Sequence, residues 1–142
     1  MSGPKAILVH GSPVLNTVYW TEDRPDSFCR QMAEKTGARK GDLLVFGHTH
    51  EPWQKKVDGI RFANAGSVGR PKDGDWRACY VLLHFGDSTL VGDSGSSERE
   101  EALRIEHVRV DYDLARAQAG IRESELPDEF AEVLEIAGSL KT

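Results

Sequence analysis

The sequence predicts an α/β fold built around a parallel sheet, and three observations support this class. Residues 43–46, LLVF, are consecutive apolar residues of the kind found in a strand that is buried on both faces. Residues 5–9, KAILV, are a second short apolar run, and a glycine and a proline soon after it mark a turn. The segment between them, PDSFCRQMAEKTG, has apolar residues at helical spacing, with Pro25 near its start and Gly37 at its end. Strand, helix and strand in this order form a βαβ unit, whose two strands run parallel.

The length and charge of the chain limit the classes of protein to which it can belong. Its 142 residues are enough for one domain with one hydrophobic core. The net charge of -5 and the pI near 5.5 give no basic footprint for nucleic acid. A site for an anionic substrate would therefore need local positive charge, most naturally from metal ions.

Cysteine usage and hydropathy predict a reduced protein without a membrane span. Cys29 falls in the expected helix and Cys79 in an expected strand, at a spacing that forms neither a zinc knuckle nor a disulfide framework. No apolar run approaches the roughly 20 residues that span a bilayer, and the beginning of the chain, MSGPKAILVHGSP, has no cleavable signal pattern. We therefore expect a cytoplasmic protein.

The rest of the chain predicts a hairpin, further strands and two helices. Asp58 and Gly59 lie between short strand-like runs in residues 54–63, which is a strong hairpin signal. Asp111 or Asp113 is expected to cap the first helix, and Gly138 to end the second. The predicted elements are a strand at 78–85, a polar surface loop at 86–102, a strand at 104–113 and C-terminal helices at 112–138.

Three histidines follow the two predicted parallel strands. His48 and His50, in GHTH, come directly after residues 43–46, and His10 follows residues 5–9. In open α/β sheets the loops at the carboxyl ends of the strands converge on a ligand crevice, so these side chains are expected to lie close together. Imidazole is a ligand for zinc, iron, nickel and manganese, and core packing gives no reason for three histidines at one edge. We interpret them as a metal site; the alternative for GHTH alone is a pair of surface or capping histidines.

Four motifs of the chain, taken together, resemble one family. The motifs are VHGSP at 9–13, FGHTHEPW at 46–53, NAGSVGRPKDGD at 64–75 and RACYVLL at 77–83. Their order and spacing resemble those of the calcineurin-like metallophosphoesterases. The likeness is greatest to the small bacterial phosphodiesterases of that superfamily, and it extends through the tail RVDYDLARAQAGIRESELPDEFAEVL. GHTH followed by NxGS is a specific combination.

The resemblance implies a fold, a reaction and a set of ligands. The fold is a four-layer α-β-β-α sandwich of the metallophosphoesterase type. The reaction is hydrolysis of a phosphate monoester or diester by a hydroxide held between two divalent ions of manganese, iron, zinc or nickel, because two cations neutralise the phosphate and lower the pKa of bound water. His10 and His48 would bind one ion and His50 the other. The residues that would orient ligands or border the substrate cleft are Asn64, Ser67 and Arg70.

The chain departs from the family in what it lacks. The family's amino-terminal half carries DxH, GDxxD and GNHD or GNHE motifs, which supply most carboxylate and amide ligands, and the sequence contains none of them. Because Met1 stands only nine residues before His10, we expect a partial domain that lacks the amino-terminal half. Its metal site would hold one ion or none, and the chain alone would have weak or no activity. A homodimer or a separate amino-terminal half would complete the site and cover the exposed sheet edge.

Two other interpretations stay open at the level of the sequence. A noncatalytic scaffold or binding module can use the same fold, as in a retromer subunit that resembles these enzymes, although His10, His48 and His50 favour the enzyme. A mononuclear three-histidine site of the carbonic anhydrase type would need the three rings to face one point. Neither the substrate nor the identity of the metal follows from the sequence.

Overall fold

The fold is a mixed α/β arrangement whose elements follow the predicted order. The computed structural model describes residues 4–86 and 103–138. The predicted surface loop 86–102 therefore lies outside the described residues, except for Gly86. The described elements are β1 (Ala6–Leu8), α1 (Asp26–Thr36), β2 (Leu43–Phe46), β3 (Trp53–Val57), β4 (Ile60–Asn64), β5 (Ala78–Phe85), β6 (Leu103–Val110), α2 (Leu114–Arg122) and α3 (Glu129–Ile136).

The strands form two sheets. The first has the order β1-β2-β4-β3, in which β1, β2 and β4 run parallel and β3 runs antiparallel to β4. The β3–β4 connection is the expected two-residue hairpin, since Asp58 and Gly59 have φ angles of 51° and 78°, both positive as a type I′ turn requires. The second sheet is the antiparallel pair β5-β6. The predicted βαβ unit and its parallel strands are thus confirmed.

Strand β2 is buried along its whole length because both of its faces are covered. Leu44 and Phe46 point into a cluster that contains Trp20 and the apolar face of α1. Leu43 and Val45 point the other way, into a cluster that includes Leu103 and Ile105 of β6 and Ala63 of β4. The two sheets therefore share one apolar layer, and the run LLVF lies at its centre; the complete four-layer sandwich stays a prediction.

Helix α1 closes the first face of the sheet and begins and ends where the sequence predicts. Pro25 precedes it with an extended backbone, and Gly37 ends it in the left-handed region at φ 68°. Its buried residues include Cys29, and burial raises the pKa of the Cys29 thiol. Burial likewise raises the pKa of Cys79, and both thiols are free, as expected from the sequence.

The C-terminal helices differ from expectation at one end. Asp113 caps α2 as predicted, since its carboxylate accepts a hydrogen bond from Arg116 N at 2.9 Å. Helix α3 was expected to end at Gly138, but it ends at Ile136, and Ala137 takes the left-handed conformation at φ 44°. The prediction was wrong because a long-range contact decides the end: Ala137 is buried, and its carbonyl accepts a hydrogen bond from Gly74 N at 3.0 Å.

The helices of the described residues are short. Within residues 4–86 and 103–138, none has the length and apolar character that crossing a membrane requires.

Candidate metal centre

The turn after β2 holds two histidines in an uncommon backbone conformation. His48 and His50 have φ angles of 71° and 64°, in the left-handed region that residues with a side chain rarely adopt. Such residues cost about 1–3 kcal/mol each and persist only where the surrounding structure fixes them. Thr49, between them, is buried, and its N–H donates to the carbonyl of Gly47 at 2.9 Å. The turn is therefore a built feature that fixes the positions of the two histidines.

The parallel pairing of β1 and β2 brings His10 to this turn. Gly47 N donates to the carbonyl of His10 at 2.8 Å, which continues the pairing beyond the two strands. The side chains then meet: His10 Nε2 and His48 Nδ1 are 3.2 Å apart, and their ring centroids are separated by 5.2 Å. His10 is exposed and His48 is half-buried. The expected convergence of histidines at the carboxyl ends of parallel strands is confirmed for this pair.

The facing nitrogens of His10 and His48 suit a shared cation. For metal–nitrogen bonds of about 2.1 Å, two nitrogens at this separation subtend about 100° at the ion, between the octahedral and tetrahedral angles. The remaining nitrogen of His48, Nε2, is buried and has no hydrogen-bond partner among the described residues. Most buried polar groups in proteins have a hydrogen-bond partner, so this nitrogen is an exception. It is not one of the two facing nitrogens, so the fit to one ion rests on His10 Nε2 and His48 Nδ1 alone.

His50 is oriented by a different contact. Its Nδ1 lies 2.8 Å from the carbonyl oxygen of Arg70, and because a carbonyl only accepts, Nδ1 carries the proton. In the neutral ring Nε2 then keeps its lone pair and is free of the proton, which is the arrangement found when a backbone carbonyl orients a metal-binding histidine. The third histidine is therefore set to act as a ligand through Nε2, separately from the His10–His48 pair.

The side chain of Asn64 supports the whole turn. Asn64 is fully buried at the end of β4, where it pairs in register with Phe46 at the end of β2. Its Nδ2 donates to Thr49 Oγ1 at 2.8 Å and to the carbonyl of Gly47 at 3.2 Å, and its Oδ1 accepts from Gly66 N at 3.0 Å. The sequence predicted Asn64 near the site, and the structure gives it hydrogen bonds to both sides of the histidine turn.

His107 contacts Asn64 and was not recognised from the sequence. Its Nε2 lies 2.8 Å from the carbonyl oxygen of Asn64, so it donates from β6 to the end of β4. The signal available was the alternation of Ile105, His107 and Arg109 along β6, which places them on one face. The sequence does not show which element this face of β6 contacts. In the structure, β6 pairs with β5 and packs on the first sheet, and this packing brings His107 to the end of β4.

The loop after β4 carries the other two residues expected at the site. Ser67 Oγ accepts a hydrogen bond from Arg70 N at 2.9 Å, and Cys79 N donates to the carbonyl of Ser67. Gly66 has φ 74°, and a Cβ added there would lie 2.9 Å from Cys79 Sγ, so the loop fits only with glycine at this position. Ser67 and Arg70 thus fix the carbonyl that orients His50, whereas a role for the Arg70 side chain at a substrate cleft stays a prediction.

The Arg70 guanidinium packs against the C-terminal helices. It lies over the ring of Phe130 in α3, with 5.5 Å from its central carbon to the ring centroid. Its Nε is buried and has no hydrogen-bond partner among the described residues. Lys72 N, further along the loop, donates to the carbonyl of His50 at 3.1 Å. Helix α3 therefore supports the loop that holds His50 in place.

Charged residues tie the same loop to β6. Arg109 forms an ion pair with Asp73 and donates to the carbonyls of Asp75 and Arg77, each at 3.2 Å. The pKa of Asp75 is lowered from 3.8 to about 2, and the largest cause is the hydrogen bond from the Arg77 guanidinium to the Asp75 carboxylate, at 2.6 Å. Burial, the next largest effect, acts in the opposite direction. These contacts hold the loop without contacting the histidines.

The described residues do not form a cluster of three ligands. Within residues 4–86 and 103–138, no group of three or more histidine, cysteine, aspartate or glutamate side chains is placed to hold one metal ion. A mononuclear three-histidine site, one of the alternatives, therefore does not form in this part of the chain. His10 and His48 come together, and His50 is fixed by its own partner.

The described residues form a mixed α/β fold with histidines at the carboxyl ends of two parallel strands, and comparison with known proteins identifies the family. The family model described as the calcineurin-like phosphoesterase superfamily domain matches residues 1–88. The chain therefore belongs to this superfamily. The expectation drawn from the four motifs is confirmed at the level of the family.

Three similar proteins place the chain within longer relatives. It is 29% identical over 109 residues to the uncharacterized protein MJ0912 of Methanocaldococcus jannaschii, covering 66% of this chain and 39% of that protein. It is 26% identical, with a TM-score of 0.66, to a metallophosphoesterase from Sphaerobacter thermophilus, covering 96% of this chain and 56% of the other. A hypothetical protein, PH1004 from Pyrococcus horikoshii, shares the fold at a TM-score of 0.69 and 21% identity, over 94% of this chain and 47% of its own. The chain thus spans about half the length, or less, of each relative.

Replacing Asn64 by alanine is expected to loosen the histidine turn. The substitution leaves buried groups of Gly47, Thr49 and Gly66 without their partner, which should lower the free energy of unfolding by about 2–4 kcal/mol. Urea unfolding measures this change. Asn16→Ala, at an exposed asparagine, is the control and should change the free energy by less than about 0.5 kcal/mol. Equal effects of the two substitutions would show that Asn64 does not support the turn.

The Asp75 carboxylate is expected to stabilise the fold in a pH-dependent way. Because its pKa is lower in the folded chain than 3.8, its ionised form stabilises the fold above about pH 4, and this contribution is lost as the pH falls toward about 2. Asp75→Asn should therefore lower the free energy of unfolding at neutral pH, with a difference from wild type that shrinks between about pH 4 and pH 2. Chemical unfolding at a series of pH values tests this, and a difference that stays constant over that range would contradict it.

Proposed function

We propose that the chain carries the histidine part of a divalent-metal site in a phosphoesterase that hydrolyses phosphate monoesters or diesters. In this proposal His10 and His48 bind one ion, through Nε2 and Nδ1, and His50 binds a second through Nε2. The observation that carries the proposal is the 3.2 Å separation of the facing His10 and His48 nitrogens. Membership in the calcineurin-like phosphoesterase superfamily supports the reaction type.

The chain's own residues would prepare this site before any ion binds. The Arg70 carbonyl keeps the proton of His50 on Nδ1, and Asn64 holds the turn from which His48 and His50 project. Divalent ions of manganese, iron, zinc or nickel would supply positive charge to a phosphate ester and lower the pKa of a water molecule. Preorganised ligands of this kind reduce the cost of assembling the site when ion and substrate arrive.

We further propose that oxygen ligands come from polypeptide beyond the described residues. Two imidazoles leave most coordination positions of an ion unfilled, and the described residues add no third ligand to that pair. The complementary segment would be an amino-terminal half or a second copy of the chain. Leu8 on the edge strand β1 is 72% exposed, which supports a neighbour at this edge. The chain alone would then have weak or no activity.

A noncatalytic binding module on the same fold is the second candidate. The lack of a three-ligand cluster among residues 4–86 and 103–138 favours it. Against it stands the backbone of His48 and His50, since two left-handed residues are retained at a cost of about 1–3 kcal/mol each. A protein that worked only through other surfaces would gain stability by relaxing this turn, so we favour the enzyme.

Metal binding by matched histidine variants tests the proposal. The chain is dialysed against increasing Mn²⁺ or Zn²⁺, and bound metal per chain is measured by mass spectrometry at each free concentration. We expect wild type to bind about one ion weakly, and His48→Ala to weaken binding about tenfold or more, because it removes one of two ligands. His84→Ala is the control, since His84 contacts Glu106 and Arg104 on the second sheet, and it should bind as wild type.

Two outcomes would contradict the proposal. Equal metal binding by wild type and His48→Ala would show that the facing histidines are not ligands. Two ions that stay bound through desalting, and are lost in His48→Ala, would show that this chain alone completes a binuclear site.

A further inference from the structure

An exposed aromatic ring borders the histidine pair. The Tyr19 ring contacts the His48 ring edge to face, with centroids 4.9 Å apart and an interplanar angle of 61°, yet Tyr19 is 54% exposed. Val14 and Leu15, in the same loop, are also more than half exposed. Of these three exposed side chains, Tyr19 is the one that contacts a histidine of the site.

The loop that carries Tyr19 is firmly held on its amino-terminal side. Ser12 is buried, and its hydroxyl donates to the carbonyl of Leu15 at 2.9 Å and accepts from Leu15 N at 3.0 Å. Gly11 lies so close to Asn16 that an added Cβ would stand 2.3 Å from the Asn16 carbonyl oxygen. Only glycine fits there, so the loop leaves His10 along a fixed path.

The loop is equally fixed beyond Tyr19. Trp20 is fully buried and stacks on Phe46 with ring centroids 4.0 Å apart and an interplanar angle of 3°. The Arg24 guanidinium donates to the carbonyl of Tyr19 at 3.2 Å from Nη2. Because the backbone is held on both sides, the Tyr19 ring is presented to solvent in a preorganised position, and little conformational entropy is lost when a ligand contacts it.

We propose that Tyr19 is a specificity-determining residue that stacks on an aromatic group of the substrate. The inference rests on the proposed function, in which the phosphate is held at His10 and His48. Because the ring centroids of Tyr19 and His48 are 4.9 Å apart, Tyr19 lies beside the proposed phosphate position, within reach of a group attached to that phosphate. Aromatic rings gain from stacking beyond the area they bury. The site therefore takes phosphate esters of aryl or nucleoside groups in preference to those of alkyl groups or simple sugars.

Binding of paired phosphates to the zinc-loaded chain tests the role of Tyr19. Dissociation constants are measured by calorimetry for phenyl phosphate against methyl phosphate, and for adenosine 5′-phosphate against ribose 5-phosphate. We expect the aromatic member of at least one pair to bind about fivefold or more tightly. A preference confined to the nucleotide pair assigns the aromatic group to a nucleobase, and a preference in both pairs assigns it to aryl groups in general.

The variants separate stacking from other effects. Tyr19→Ala should abolish the preference, whereas Tyr19→Phe, which keeps the ring, should retain it. Tyr80→Ala removes an exposed tyrosine on β5 and is the control, which should leave the preference for the aromatic phosphate unchanged. Equal binding within both pairs, or a preference that survives in Tyr19→Ala, would overturn the inference alone. If zinc binds but none of the four phosphates does, the inference is overturned while the proposed metal ligands stand. If zinc itself does not bind, the proposed function fails, and the inference that rests on it fails as well.

Discussion

The hydrogen bonds of one buried side chain, that of Asn64, hold the histidine turn on which the site depends. The register of β2 with β4 places Asn64 beside Phe46, and from there its amide reaches both Gly47 and Thr49. The same side chain accepts from Gly66, so the turn after β2 and the loop after β4 are fixed by one group. Without these bonds, the two left-handed residues on either side of Thr49 would relax to a more common conformation.

Contacts from two other elements, β6 and α3, converge on the same place. His107 of β6 donates to the carbonyl of Asn64, and Arg109 holds the loop that presents the Arg70 carbonyl to His50. Helix α3 packs Phe130 against the Arg70 guanidinium. Within residues 103–138, His107, Arg109 and Phe130 thus support the histidine turn through Asn64 and the loop after β4.

The local elements could be predicted because their causes are local. An apolar run predicts β2, Asp58 and Gly59 predict the hairpin, and Gly37 predicts the end of α1. The meeting of His10 and His48 was also predictable, since it needs only that two parallel strands share an edge.

The contacts that the sequence did not predict all depend on the pairing of distant segments. The contact of His107 with Asn64 requires the packing of the β5-β6 hairpin on the first sheet. The end of α3 at Ile136 depends on a hydrogen bond from Gly74 to the carbonyl of Ala137, and the contact of Tyr19 with His48 depends on the path of the loop after β1. Residue types and spacing along the chain do not determine such pairings.

The central claim is that His10 and His48 act together on one ion. The most direct measurement is ¹⁵N-edited NMR of the imidazole nitrogens, with histidine labelled, during a titration with Zn²⁺. We expect the signals of His10 Nε2 and His48 Nδ1 to shift together at the same zinc concentrations, while those of His84 and His107 do not shift. Unchanged signals of His10 and His48 at saturating zinc, or equal shifts at His84 and His107, would contradict it.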